Sequence, residues 1–150
     1  MHFSLLVISS EHDDLDVLMD PYWQDNSDPG IIEFEEDEEG ELDPATGKRG
    51  FWWNPQTEWD WWVIGGRFAE RLILKDGTRA SRARIADLDL DALRERAFYT
   101  FAVMEDGYWE QIGEWSFFSE KPKAEHRSFV DDHLARANPS LFATVIDCHI

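Results

Sequence analysis

A single cysteine, Cys148, stands in 150 residues, so no disulfide can close within the chain, and a reducing cytosol is the expected setting. No apolar run approaches the roughly 20 residues that span a bilayer. The stretch Phe3 to Ile8 is short, and it lacks the basic flank and cleavage site of a signal peptide. The chain contains no Gly-x-x-x-x-Gly-Lys, no Gly-x-Gly-x-x-Gly, no Cys-x-x-Cys, no His-x-x-x-His and no serine elbow. Phosphate loops, dinucleotide fingerprints and zinc sites of the usual spacing are therefore absent as motifs. Neither a cofactor nor a metal is implied. The most informative absence is of positive charge: the first 47 residues hold fifteen Asp and Glu without one Lys or Arg, and most of the net charge of −18 resides there. Such an end repels phosphate backbones, so direct nucleic-acid binding is not expected. It attracts a basic protein surface or a hard cation instead.

What is present argues for a folded protein. Apolar residues make up 43% of the chain and eight are Trp, enough for one domain with a core despite the charge. Phe3 to Ser9 reads as a buried strand, and Ser10 with Asp13 as the cap of a short helix carrying Leu15, Leu18 and Met19 up to Pro21. Residues 21–50, dense in Asp, Glu, Pro and Gly, read as an acidic insertion or loop, with a brief edge strand around Ile31 to Phe34. Trp59 to Ile64 alternates like a strand. Lys75-Asp76-Gly77 and Asp106-Gly107 mark two hairpins, with a helix between them through Ile85, Leu88 and Leu93. A helix starting at Pro122 and running to about Ala137 presents Phe129, Val130, His133 and Leu134, and Leu141 to Ile150 closes as a strand. The expected architecture is one α+β domain, a ferredoxin-like sandwich with a mostly antiparallel sheet whose first and last strands are neighbours.

The segment Trp59-Asp60-Trp61-Trp62-Val63-Ile64-Gly65-Gly66-Arg67-Phe68 resembles a signature of small uncharacterised proteins of bacteriophages and actinobacterial genomes. Asp106-Gly107-Tyr108-Trp109-Glu110 with Gly113, and the ending Val145-Ile146-Asp147-Cys148-His149-Ile150, are similar to that family in the same order. The family's pattern often has His where Glu110 stands, so the resemblance carries no proton-transfer role over to that position. The resemblance implies a phage or mobile-element setting, and the cytoplasm of a host cell, without an activity attached.

Three constellations are candidates for function. Gly65 and Gly66 allow a close backbone approach, and Arg67 can clamp an anion beside Trp62, giving a ligand site; the competing reading is a bulge in which Arg67 pairs with Asp60. Asp147 and His149, two apart, share one strand face with Cys148 opposite, and His2 joins them if the terminal strands are neighbours. That set suits acid–base chemistry. Lastly, Glu35, Glu36, Asp37, Glu38 and Glu39 with Trp52 and Trp53 combine long-range attraction with aromatic anchors, as a partner surface does. Trp59 and Trp61 read as core. Asp25 to Glu36 has the outline of a calcium loop, but Pro29 occupies a ligand position. The leading expectation is an acidic binding or inhibitor protein that engages a basic, nucleic-acid-handling host protein by charge mimicry. The alternative is a small-ligand or nucleotide-binding enzyme using Asp60, Arg67, Asp147 and His149. Oligomeric state is not legible.

Overall fold

The computed structural model describes residues 1–115, the backbone of 121–122, and residues 128–150. The strands, in chain order, are β1 (His2–Ser9), β2 (Glu33–Leu42), β3 (Arg49–Trp53), β4 (Trp61–Ile64), β5 (Leu72–Ile73), β6 (Arg79–Ala80), β7 (Arg82–Arg84), β8 (Ala102–Glu105), β9 (Tyr108–Gln111), β10 (Gly113–Glu114), β11 (Lys121–Pro122) and β12 (Phe142–His149). Two short α-helices, α1 (Leu15–Met19) and α2 (Leu90–Glu95), and a π-helix (Val130–Ala135) accompany them. The contacts resolve two compact units: Met1–Asp13 with Trp62–His149, and Asp14–Trp61 with Ile150.

The first unit is built on a sheet in the order β4-β12-β1-β8-β9, with β7 also on β12. Leu5, Leu6, Val7, Val145 and Ile146 are fully buried because β1 and β12 are central and covered on both faces, which is why both read as near-continuous apolar runs. They pair antiparallel along their whole length, from His2↔His149 to Ser9↔Phe142. The β8–β9 hairpin turns at Asp106 and Gly107, both at positive φ (+53° and +77°), as a tight two-residue turn demands. The chain is thus α+β with a mostly antiparallel sheet. The ferredoxin-like arrangement would interpose a strand between β1 and the strand parallel to it. Here β1 and β8 are parallel and directly hydrogen-bonded, from Leu5↔Ala102 to Ile8↔Glu105.

Helix α2 begins where Asp89 accepts from the Ala92 N–H at 3.0 Å, a cap that the Asp-Leu-Asp-Leu-Asp alternation hides in the sequence. Leu93 buries its inner face in the core with Leu88, Phe98, Phe129 and Leu134. The last helix departs from expectation. Pro122 lies in β11, paired with Gly113; the described helical segment is Val130–Ala135, and residues 123–127 of the expected helix lie outside the described residues. Phe129, Val130 and Leu134 are nonetheless buried, as the expected stripe requires.

In the second unit α1 is capped by Asp14, whose carboxylate accepts from the Asp16 N–H at 2.9 Å. Ser10 and Asp13, expected to do this, instead form their own turn in the first unit, Ser10 N–H to Asp13 Oδ2 at 2.7 Å. The acidic run Glu35 to Glu39 is not an open loop. It lies within β2, which pairs with β3 from Glu33↔Trp53 to Glu36↔Gly50 and resumes at Glu41↔Gly50 after a bulge. Cross-strand contact between Phe34 and Trp52, with ring centroids 5.3 Å apart, supplies the packing that the acids lack. Trp59 is buried, stacked on Trp23 at 6.2 Å and donating its indole N–H to the Met19 carbonyl at 3.1 Å. Trp61, expected to share its fate, is 43% exposed. The reason is register: Trp59 belongs to an isolated bridge with Trp23, and β4 starts only at Trp61, so alternation does not run through Asp60. Among the described residues, no helix is long and apolar enough to cross a membrane.

Candidate functional site

The β1–β12 register places Ser4 opposite Asp147 and His2 opposite His149, so His2, Asp147 and His149 share one face of two adjacent strands. Asp147 is 1% exposed. Its Oδ1 lies 2.8 Å from His2 Nδ1, and its Oδ2 accepts from the Arg67 backbone N–H at 2.9 Å. The His149 ring meets His2 edge-on, centroids 5.0 Å apart, and its Nε2 is 3.1 Å from the Met1 amino group. A buried carboxylate bonded to imidazole Nδ1 fixes the orientation of that ring, the arrangement used to hold a general base in place.

The double glycine explains how Arg67 reaches this carboxylate. Gly65 and Gly66 have φ of +74° and +49°, and the Gly65 N–H donates to the Val145 carbonyl at 2.8 Å, tying the turn to β12. A Cβ on Gly66 would strike the Asp147 carboxylate. The glycines therefore serve a close approach of backbone to carboxylate within the protein. Arg67 contributes its N–H to that contact, and its side chain is exposed. Asp60 is half-buried and belongs to the second unit, and Trp62 is half-buried in β4. Cys148 faces away, fully buried, and burial first, then the charge of Asp147, pushes its thiol well above the ordinary range, so it is no nucleophile. Among the described residues, no group of three or more His, Cys, Asp and Glu is arranged to hold a metal ion.

The second unit holds a different feature. A groove of about 480 Å³ runs along the β2–β3 ribbon, lined by Phe34, Phe51 and Trp52 together with Glu39, Glu41 and Asp43. No Lys or Arg lines it. Asp43 is held below the usual carboxylate range, chiefly by its bond to the Thr46 hydroxyl against an opposing desolvation, with lesser help from the Thr46 N–H, the Trp52 side chain and the Ala45 backbone. Glu35 to Glu39, Trp52 and Trp53 are all exposed, and Lys48 pairs with Glu36 at the ribbon's outer part. The sequence points to the acids and the tryptophans but not to the groove, because Glu39, Glu41, Asp43 and Phe51 come together only through the bulge between Glu36 and Glu41. Comparison of the chain with protein-family models, with curated proteins and with solved structures gives no match.

Proposed function

We propose that this chain is an acidic binding protein that captures a basic protein surface through the β2–β3 ribbon. The observation that carries the reading is the groove on the ribbon whose lining includes Phe34, Phe51 and Trp52 with Glu39, Glu41 and Asp43, and neither Lys nor Arg. A Lys or Arg side chain suits such a cavity in both its parts, because the ring faces attract the cation and the carboxylates accept its N–H groups. Around the groove, seven of the ten residues of β2 are acidic. This supports charge mimicry of nucleic acid, and with the phage resemblance it makes a nucleic-acid-handling host protein the partner class. Exposed charge accelerates encounter, whereas the aromatic groove sets the lifetime of the complex.

The test is association kinetics with a Lys- and Arg-rich peptide from roughly 0.05 to 0.5 M salt, a range over which exposed charge is progressively screened. The association rate should fall steeply, and replacing Glu35, Glu36, Asp37, Glu38 and Glu39 by the corresponding amides should reproduce the fall at low salt. An association rate unmoved by both treatments removes the reading.

A second reading, a small-ligand enzyme using Arg67, Asp147 and His149, is favoured by one observation, the buried Asp147 held against His2. It requires that Arg67→Lys and His149→Ala lose ligand turnover, by roughly 10²-fold or more for a general acid–base group, while melting temperatures are kept. Unchanged turnover in both variants ends it.

A further inference from the structure

The first unit contains a feature of the opposite charge. The chain has 14 Lys and Arg against 32 Asp and Glu, yet three arginines, Arg71, Arg79 and Arg96, converge on one cavity of about 170 Å³ with no acid in its lining. The backbone makes this convergence obligatory. In the β5–β6 hairpin Ile73 pairs with Arg79, and Arg71 lies two residues before Ile73, so all three project from one face. Arg96 ends α2, its N–H bonded to the Ala92 carbonyl at 3.1 Å. The next residue, Ala97, takes a φ of +50°, and the Phe98 N–H returns to the Leu93 carbonyl at 3.0 Å. That turn brings Arg96 and Phe98 to the same cavity as the hairpin arginines.

The floor is apolar: Ile73, Leu93 and Phe98 are all buried. Arg71 is held in place, with its Nη2 donating to the Tyr99 carbonyl at 3.0 Å and its guanidinium 5.6 Å from the Phe98 ring centre. Arg79 and Arg96 are exposed and make no ion pair or side-chain hydrogen bond among the described residues. The charges of Arg79 and Arg96 at one small concavity repel each other, and an apolar floor strengthens that repulsion. An anion seated among them converts this cost into attraction.

We propose that the Arg71–Arg79–Arg96 cavity is a binding site for a phosphate group. Guanidinium forks match tetrahedral oxyanions in bidentate geometry, and the clustered charges of Arg79 and Arg96 favour a dianion over a singly charged carboxylate. Size sets the class: pockets for drug-sized ligands run roughly 300–1,000 Å³, so this one takes a phosphate head and leaves the remainder of any monoester outside. The site shares no residue with the β2–β3 groove, and its failure leaves that reading untouched.

The test titrates the full chain with inorganic phosphate, with phenyl phosphate and with benzoate, while following the arginine Nε–H resonances by NMR. Chloride at matched ionic strength is the reference. Phosphate should move the resonances of Arg71, Arg79 and Arg96 saturably, with chloride leaving them in place. The double variant Arg79→Gln, Arg96→Gln alters only exposed side chains, and circular dichroism confirms its fold. It should weaken phosphate binding at least tenfold. Phenyl phosphate binding as well as inorganic phosphate identifies a monoester as an acceptable source, and a preference for inorganic phosphate identifies the free ion; both support the site. Absence of saturable shifts, full affinity in the double variant, or benzoate binding as tightly as phosphate overturns it.

Discussion

Replacing Gly66 by Ala probes the contact on which the His2–Asp147 cluster depends. Two costs are separable. An L-residue in the left-handed region pays about 1–2 kcal/mol, and Gly66 sits at φ +49°. The new methyl would also occupy the place of the Asp147 carboxylate. Moving that carboxylate sacrifices a charge-assisted bond from the Arg67 N–H, worth about 1.5–3 kcal/mol. The total is about 2.5–5 kcal/mol. Gly77→Ala is the matched control, since Gly77 has a φ of +83° and nothing within 4 Å of the methyl that alanine would add, so it bears only the first cost. Thermal unfolding followed by far-ultraviolet circular dichroism measures both. A chain of this size loses about 2–4 °C per kcal/mol, so Gly66→Ala should melt about 3–12 °C below Gly77→Ala. Equal melting temperatures would refute the argument that Gly66 is glycine in order to seat Asp147.

Three further outcomes are expected. Glu58 is half-buried, and desolvation raises its carboxyl above the usual range, so the folded state binds that proton more tightly than the unfolded state. Stability is then lost as pH rises from the ordinary carboxylate value through the raised one, and Glu58→Gln should be more stable than the parent at neutral pH. The difference should vanish below roughly pH 4, and a gain that persists there contradicts the assignment. Cys148 should resist a thiol reagent at mildly alkaline pH in the native state and react fully in denaturant; native-state labelling at the denatured rate would show that the thiol is accessible. Trp59→Phe keeps an aromatic ring but loses the indole bond to the Met19 carbonyl, so it should destabilise by about 1–3 kcal/mol in urea unfolding, whereas Trp53→Phe, at an exposed position, should be close to neutral.

The parts of the fold that are legible in the sequence are those governed by local periodicity. Phe3 to Ser9 and Leu141 to Ile150 announce the central strand pair because short apolar, partly β-branched runs mark buried strands, and residues two apart on a strand, such as Asp147 and His149, share a face. Asp106-Gly107 announces its hairpin through its demand for positive φ. The order of strands is not legible: nothing local states that β8 lies directly beside β1. Nor is the β2–β3 ribbon, since seven acids in ten residues oppose strand formation by composition. The pairing of Phe34 with Trp52 that overcomes this spans a separation that period-two reasoning does not reach. Trp61 escapes the alternation because one residue, Asp60, interrupts the register between a bridge and a strand. The arginine cavity is hidden for the same reason as the groove: its members come from three segments, and each looks like an ordinary surface charge alone.

The central claim is that the aromatic and acidic groove of the β2–β3 ribbon receives a cationic side chain. Titrating the chain with a Lys- and Arg-rich peptide while recording the indole N–H resonances tests it directly, because the buried Trp59 is an internal reference. Saturable movement of the Trp52 indole is the predicted result, with that movement lost in the double variant Glu39→Gln, Glu41→Gln and the Trp59 signal still throughout. A peptide that binds while the Trp52 indole stays in place would contradict it.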